Sequence, residues 1–319
     1  MSGRVHCIIL NWRTAEMTLK AVEATRLAMQ GVDGAITVVD NDSQDGSFER
    51  LSQALVTSSN EKTPVRVLQS GNNGGFGAGN NYGIRAGLPG GERPDFVLVL
   101  NSDAFPAPDA ITALRDYMQT RPRVGFAGSR IMDPDGTPHV SAFRFPSIAG
   151  EFEGAARIGP ISRLLHRHVV PLPIPAKSGA ADWLAGASVM MRQDMLDEVG
   201  LFDERFFLYF EETDLMLRAA RMGWEAHHVV ESEVTHIGSV STGMKQWQRV
   251  PGYWFDSRWH YFAKNHGRAQ AALATLARLS GLSLHLLRVT LTRKKSADPP
   301  YFFRDLVRHS LGRSIRPEQ

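Results

Sequence analysis

The chain of 319 residues has a single cysteine, Cys7. One thiol excludes an internal disulfide framework and a cysteine zinc site, and it fits a reducing compartment such as the cytoplasm. Cys7 lies in an apolar run and is predicted to be buried in a strand. Because the N-terminus leads directly into that run, we expect no signal peptide. No apolar stretch reaches the ~18 residues of a membrane span, so no membrane-spanning helix is predicted.

Negative charge is scarce near the C-terminus. Residues 249–319 carry 13 Lys or Arg against 4 Asp or Glu, a net charge of +9, whereas the rest of the chain sums to −6. A basic end on an acidic body indicates an anionic partner for that end. No recognised nucleic-acid-binding module accompanies the basic residues, so we do not expect nucleic acid to be this partner.

Strand and helix patterns alternate in the first 131 residues, which predicts an α/β fold with a mostly parallel sheet flanked by helices. The predicted strands are 5–10, 35–40, 65–69, 96–101 and 124–131. The predicted helices are 14–29, 47–56, 77–86 and 109–120. Residues 132–182 are rich in Gly and Pro and predict loops with short strands that flank a site. From residue 253 onward the pattern is helical and basic.

Polar residues follow two of the predicted strands. Asp103 comes just after the most apolar strand, at the edge where open α/β sheets bind ligands. A carboxylate there can hold a hard divalent cation, and the cation can hold a diphosphate; the alternative is that Asp103 caps the next helix. The second strand ends at Asp40, which can accept hydrogen bonds from a base or a ribose hydroxyl. The residues after Asp40 predict a turn and a helix cap.

A glycine-rich run covers residues 71–83. So many glycines allow the backbone to approach a ligand closely at the start of a helix, whose N–H groups favour anions. The run lacks both the dinucleotide-binding spacing and the Gly-Lys-Ser/Thr end of a P-loop. By itself it therefore identifies no ligand.

Three acids, Glu211, Glu212 and Asp214, cluster at a predicted helix start after an aromatic run. Acids in a first turn are favoured by the helix dipole, so one interpretation is capping. The other is that a partly desolvated carboxylate acts as a general base. Further along, His236 is either a structural histidine or, beside Asp103, the imidazole ligand of a cation whose other ligands are phosphate and water.

Taken in order, these motifs resemble family 2 glycosyltransferases of the GT-A fold, most closely the rhamnosyltransferase-like branch that builds bacterial surface polysaccharides. The resemblance covers residues 5–240. It is carried by Asn11-Trp12, Asp40-Asn41-Asp42-Ser43, the run from Asn73 through Gly75 and Asn81 to Gly83, Asn101-Ser102-Asp103, Trp183-Leu184-Ala185-Gly186-Ala187, Glu211-Glu212-x-Asp214 and His236-x-Gly238.

The resemblance implies an inverting hexosyl transfer from a nucleotide-diphosphate sugar, with dTDP or UDP as the carrier, to the hydroxyl of a glycan acceptor. It implies that Glu212 is the general base, with Glu211 and Asp214 in support. It also implies that Asp103 binds Mg²⁺ or Mn²⁺ and that His236 is a ligand of the metal or of the diphosphate. Asp40 would hold the nucleobase or the ribose. The remaining donor-binding residues would be Asn11, Asn73, Gly75, Asn81, Asn101, Ser102 and Trp183.

Two positions depart from the family pattern. Asn101 stands where the Asp-x-Asp motif has its first acid, which leaves fewer charges for a cation. Glu212 stands where many relatives have Asp, which lengthens the reach of the base without changing its chemistry. A related nucleotidyltransferase would need a basic, glycine-rich loop after the first strand, and residues 11–14 do not supply one. A catalytically silent binding or scaffold protein is disfavoured by the presence of Glu212 and Asp103.

The resemblance assigns residues 1–248 to the catalytic domain and leaves 249–319 as a basic, helical extension. Within it, Arg278, His285 and Arg288 share one helix face, and Leu, Ala and Val form the other. This pattern predicts a helix lying in a membrane interface; the alternative is a helix packed on the catalytic domain or in a homodimer contact. Since many relatives use lipid-linked acceptors, we expect a cytoplasmic enzyme that is peripheral on the inner face of the cell membrane.

Overall fold

The computed structural model describes residues 3–56, 63–238, 247–293 and 298–312, and every structural statement below concerns those residues. The chain forms two units. The first comprises residues 1–143, 173–207 and 211–242, and the second comprises 144–172, 208–210 and 243–319. Residues 144–172 therefore fold with the C-terminal helices, although they precede much of the first unit in sequence.

Eleven strands are described. They are β1 Val5–Asn11, β2 Gly34–Asp40, β3 Val65–Gln69, β4 Phe96–Asn101, β5 Ala104–Pro106, β6 Val124–Met132, β7 Ala142–Phe143, β8 Gly179–Ala181, β9 Trp183–Leu184, β10 Ser188–Arg192 and β11 Glu225–His236. The described helices are α1 Ala15–Ala28, α2 Ser47–Val56, α3 Gly75–Ala86, α4 Ala110–Gln119, α5 Ile148–Ala156, α6 Gly159–Leu164, α7 Gln193–Val199, α8 Glu211–Arg221, α9 Gly252–His266, α10 Arg268–Thr292 and α11 Phe302–Ser310.

The main sheet of the first unit runs in the order β3-β2-β1-β4-β10-β6-β11-β5, with β8 paired to β11. Strands β1 to β4 are mutually parallel where they pair, and β10 is inserted antiparallel between β4 and β6. Strands β1, β2 and β4 are almost fully buried apolar runs, as expected for strands covered on both faces, whereas β3 lies at the edge of the sheet and is only partly buried. The predicted α/β class with a parallel sheet and flanking helices is confirmed.

The glycines of α3 serve close packing between helix and sheet. A Cβ at position 79 would lie 2.5 Å from Cδ1 of Leu10, and one at position 83 would lie 2.9 Å from Cγ2 of Ile8. These contacts are too short for real carbon atoms, so only glycine lets α3 lie this near β1. Gly79 and Gly83 therefore face protein atoms of β1, and a role of the run in ligand binding stays a prediction.

The predicted loop character of residues 132–182 is wrong in part, because α5 and α6 lie inside it. The hydroxyl of Ser147 accepts a hydrogen bond from the amide of Gly150 and caps α5. Within the second unit α5 packs along α10 so closely that a Cβ at position 281 would lie 2.5 Å from the carbonyl oxygen of Phe152. Helix α5 is stabilised by this tertiary contact, which local composition does not reveal.

Candidate active site

Three neighbouring strands end in polar residues at the same edge of the sheet. Asn11 of β1 pairs in register with Asp40 of β2, and Leu10 pairs with Asn101 of β4. The carboxyl ends of parallel strands form the ligand-binding edge of open α/β sheets. The candidate site is therefore built on strand ends, and the segments that follow those strands complete it.

Asp40 and Asn11 are both fully buried, and each is used by protein partners. Oδ1 of Asp40 accepts from Nδ2 of Asn11 at 2.7 Å and from the Ser43 hydroxyl at 2.5 Å, while Oδ2 accepts from the Ser43 amide at 3.1 Å. Oδ1 of Asn11 accepts from the hydroxyls of Thr14 and Thr18. The pair fixes the loops after β1 and β2, and the Asp40 carboxylate is closed to solvent in this structure.

The polar residues around the start of α3 are also engaged within the first unit. Oδ1 of Asn73 accepts from Nδ2 of Asn41 at 2.9 Å and from the Gly75 amide at 3.1 Å. Nδ2 of Asn81 donates to the carbonyl of Phe202 at 2.9 Å. A Cβ on residue 75 would lie 1.8 Å from a backbone oxygen, and its φ is +88°. Asn73 and Asn81 thus hold neighbouring backbone segments through their side chains, and Gly75 permits a close backbone approach.

The segment after β4 meets the end of β11. Strand β5 pairs antiparallel with β11, with Ala104 opposite His236. As a result, Nε2 of His236 lies 3.0 Å from Oδ1 of Asp103 and 3.3 Å from Nδ2 of Asn101. The buried hydroxyl of Ser102 accepts a hydrogen bond from the Thr14 hydroxyl at 3.0 Å. The carboxylate and the imidazole, separated by 133 residues in sequence, are neighbours here.

Asp103 and His236 suit a divalent cation as a two-ligand site. Among the described residues, no group of three or more His, Cys, Asp or Glu side chains is arranged to hold a metal ion. Mg²⁺ commonly takes one or two protein ligands and completes its shell with phosphate oxygens and water, and imidazole is a good ligand for transition metals. The donor set fits a cation that binds together with a diphosphate.

Glu212 stands in the first turn of α8. Its Oε1 accepts a hydrogen bond from the backbone amide of Gly186 at 3.2 Å. The side chain borders a small apolar pocket lined also by Phe76, Phe202 and Met216. Burial raises the pKa of the Glu212 carboxyl above its usual value, and the hydrogen bond from Gly186 offsets part of that rise. A carboxylate with a raised pKa is suited to accept a proton near neutral pH.

The other two acids of the cluster, Glu211 and Asp214, are buried against other parts of the protein. Oδ2 of Asp214 accepts from Nε of Arg218 at 2.9 Å, and the same guanidinium donates to the carbonyls of Val199 and Leu201. Asp214 thereby fixes the turn after α7. Glu211 is buried as well, with its Cβ near the backbone of Gly77. The structure therefore separates the three acids, and Glu212 alone borders the pocket.

Trp183 forms part of a small second sheet. Its strand β9 pairs antiparallel with β7, and the indole stacks on the ring of Phe143 with centroids 4.2 Å apart. The Trp183 side chain remains partly exposed. An aromatic face held in this way offers a platform for a sugar or a base.

Gly186 was not among the predicted site residues. It lies within the motif that begins at Trp183, and the signal that could have found it is the glycine itself. A Cβ at position 186 would lie 2.3 Å from Oε1 of Glu212. Only glycine leaves room for the carboxylate to reach the backbone amide at this position.

Known proteins with similar sequences are glycosyltransferases. The family described as "Glycosyltransferase like family 2" matches residues 4–250. The N-acetylglucosaminyl-diphospho-decaprenol L-rhamnosyltransferase of Mycobacterium tuberculosis is 34% identical over 223 residues, which are 66% of this chain and 68% of that protein. Rhamnosyltransferase WbbL of Escherichia coli is 25% identical over 166 residues, covering 51% of this chain and 60% of that protein.

Among solved structures, the mannosyltransferase PcManGT of Pyrobaculum calidifontis, in complex with GDP-Man and Mn²⁺, aligns with a TM-score of 0.57 at 14% identity. The alignment covers 97% of this chain and 79% of that one. At this identity the likeness concerns the fold, and it confirms the GT-A architecture. With the family match over residues 4–250 and the edge geometry described above, the chain belongs to glycosyltransferase family 2 and is a glycosyltransferase.

Proposed function

We propose that this protein is a metal-dependent, inverting glycosyltransferase in which Glu212 is the general base. The observation that carries the proposal is the setting of the Glu212 carboxylate, which is desolvated and held by the Gly186 amide. To remove the proton of an acceptor hydroxyl, a general base must be ionised at the working pH and still be basic enough to bind the proton. Asp214 is instead paired with the guanidinium of Arg218.

Glu212 takes the acceptor proton as the hydroxyl oxygen attacks the anomeric carbon of the donor sugar. The bond from that carbon to the diphosphate oxygen breaks in the same step, and the nucleoside diphosphate leaves with the bonding electrons. One displacement inverts the anomeric configuration. A single carboxylate base is sufficient, in contrast to the nucleophile and acid pair of retaining hydrolases.

For the donor, we propose that Asp103 and His236 hold Mg²⁺ or Mn²⁺ together with the diphosphate. A divalent cation there would offset the negative charge that develops on the leaving group. Asn101, which replaces an acid of the family motif, lowers the negative charge of this pair. Asp40 and Asn11 order the loops that receive the nucleoside, for which we propose dTDP or UDP as the carrier.

The sugar and the acceptor are inferred from the relatives. Both the mycobacterial relative and WbbL are rhamnosyltransferases, and the first is named for an N-acetylglucosaminyl-diphospho-decaprenol acceptor. We propose rhamnose or a similar sugar as the group transferred, and a lipid-linked glycan as the acceptor. An enzyme with such an acceptor and with a single, buried cysteine fits the cytoplasmic face of the cell membrane.

The test joins ligand binding to product analysis. Thermal shifts would be measured with nucleoside diphosphates and nucleotide sugars, each with and without Mn²⁺. A ligand at about 100 times its dissociation constant stabilises a protein by about 2.7 kcal/mol, which is readily measured. Turnover of the donor that binds best would follow, with the anomeric configuration read by NMR. A product with retained anomeric configuration would contradict the proposal. So would an affinity for the nucleotide ligands that is the same with and without Mn²⁺.

A further inference from the structure

Helix α10 of the second unit presents a leucine face to solvent. Five of its leucines are between 39% and 76% exposed: Leu273, Leu276, Leu284, Leu287 and Leu291. At 3.6 residues per turn these positions fall within an arc of about 80°. A surface helix ordinarily turns its apolar stripe toward the core, so this outward stripe is a candidate contact surface. We call these five residues the leucine face.

The polar side of α10 is occupied within its own unit. Nη1 of Arg278 donates to the buried carboxylate of Glu151 at 3.1 Å, and Arg258 binds the same carboxylate at 2.7 Å. Arg288 donates to the carbonyl of Arg157 at 2.5 Å, and His285 is buried. The helix is thus anchored by the basic residues that the sequence assigned to the polar face. Its orientation leaves the leucine face outward.

Charge at the ends of the helix restricts what can cover this face. Residues 268–292 contain no Asp or Glu, and Arg268 opens the helix while Arg293 follows its last turn, both exposed. The sequence continues with Lys294 and Lys295. A covering surface must therefore be apolar in the middle and anionic where the helix ends.

A second copy of the chain meets these requirements poorly. A twofold pairing of two leucine faces would align helices that both lack acids and both end in cations, and like charges at close range are unfavourable. An anionic lipid surface offers acyl chains to the leucines and phosphates to the cations. The described helices include none that is long and apolar enough to cross a membrane, so such contact would be interfacial.

We propose that the leucine face docks α10 in the plane of an anionic membrane, with the leucines buried about 5–10 Å into the boundary between headgroups and acyl chains. The proposal rests on the proposed function in one respect: docking would bring the enzyme to a lipid-linked acceptor. The sequence predicted an interfacial helix, and the structure now identifies which residues face outward. Arg278 and Arg288 on the polar side bind protein groups and are not available to the lipid.

The test compares two adjacent leucines of the full-length protein. Leu287 lies on the leucine face, whereas Leu286 is 39% exposed and lies about 100° away around the helix. Burying one leucine typically changes an equilibrium constant about tenfold or more. We expect Leu287→Glu to lower partitioning onto phosphatidylglycerol-containing vesicles at least about tenfold, and Leu286→Glu to lower it much less. Leu276→Glu combined with Leu287→Glu should abolish sedimentation with the vesicles.

Sedimentation with phosphatidylcholine vesicles alone should be weaker than with anionic vesicles, and added salt should reduce the difference. Melting temperatures show whether each variant is folded. Equal losses in Leu286→Glu and Leu287→Glu, or no sedimentation of the wild type at low salt, would overturn the proposal. A wild-type dimer in analytical ultracentrifugation that dissociates in Leu287→Glu would assign the face to a second copy instead. Turnover of a soluble acceptor, measured on the same variants, should be retained, so a failure of the proposed chemistry is distinguishable from a failure of docking.

Discussion

The backbone amide of Gly186 holds the carboxylate of Glu212 at 3.2 Å, and the carbonyl of the next residue, Ala187, accepts from the amide of Asn101 at 3.0 Å. Two adjacent residues thus link the carboxylate of Glu212, the proposed general base, to the end of β4. The partner atoms on residues 186 and 187 both belong to the backbone, so the sheet fixes the point at which the carboxylate is held.

Glu212→Gln should lower the rate of transfer by about 10²–10⁴-fold, since that is the usual contribution of a general base. The amide keeps the size of the side chain but cannot take the acceptor proton. Donor affinity, measured by calorimetry, should stay near the wild-type value. Glu211→Gln is the matched control and should retain much more activity. If Glu212→Gln is active while Glu211→Gln or Asp214→Asn is inactive, a neighbouring acid is the base.

The pH dependence of the transfer rate should reflect the raised pKa of Glu212. Activity requires the ionised base, so the acid limb of the rate profile should lie above the pKa of an ordinary glutamate. Stability should change with pH in the opposite direction to activity. The raised pKa means that the folded state favours the protonated carboxyl, and this contribution to the free energy of unfolding is lost as pH rises through the raised pKa. Glu212→Gln should therefore melt higher than wild type above that pH and about equally below the ordinary glutamate pKa. Melting curves of both proteins across this range check the sign.

Gly186→Ala should impair catalysis while leaving the donor bound. The new Cβ would lie 2.3 Å from Oε1 of Glu212, so the carboxylate must leave the backbone amide. We expect the catalytic rate to fall at least about tenfold, since small misplacements of a catalytic group are costly. Gly179→Ala is the control, because a Cβ there would meet nothing within 4 Å. Equal rates for the two variants would show that the contact does not position the base.

Asp103→Asn should abolish the gain in diphosphate affinity that Mn²⁺ provides. The amide keeps the shape of the side chain and removes the charge that a hard cation prefers. Asp109→Asn serves as the control, since Asp109 follows six residues later in sequence, is exposed, and its side chain makes no capping hydrogen bond. The measurement is calorimetry of the nucleoside diphosphate with and without Mn²⁺. An unchanged Mn²⁺ effect in Asp103→Asn would remove this residue from the metal site.

Asp40→Ala should weaken the nucleoside diphosphate and the nucleotide sugar to the same degree and also lower the melting temperature. The loss of stability follows because the amide of Asn11 and the amide and hydroxyl of Ser43 lose a buried acceptor, at a cost of about 1–3 kcal/mol or more. Calorimetry of both ligands, below the melting range of the variant, gives the comparison. If only the nucleotide sugar binds more weakly, Asp40 acts on the sugar.

The parts of the fold that were predictable are those with strong local patterns. Strands β1, β2 and β4 are apolar runs bounded by polar residues, and their predicted ends differ from the observed ones by one residue or none. The proximity of Asp103 and His236 was expected from the resemblance, and the pairing of β5 with β11 is its physical cause.

The parts that were missed depend on contacts distant in sequence. Helix α5 contains two glycines and follows a Pro-Ser pair, so its local signal is weak, and its packing on α10 decides its structure. The close packing of Gly79 on Leu10 and of Gly83 on Ile8 was not predicted, because spacing alone cannot tell which atoms a glycine backbone approaches. Gly186 was missed for a similar reason, since its partner Glu212 lies 26 residues further along the chain.

The burial of Cys7 has a practical consequence. Strand β1 lies between β2 and β4, the thiol is fully buried, and burial raises its pKa. Because the reactive form is the thiolate, a modifying reagent can reach this sulfur only when the sheet opens. The rate at which Cys7 is labelled therefore measures how often the central strands open. A cysteine introduced on the leucine face would be the one accessible thiol of the native chain, ready to carry a fluorophore whose emission reports contact with lipid.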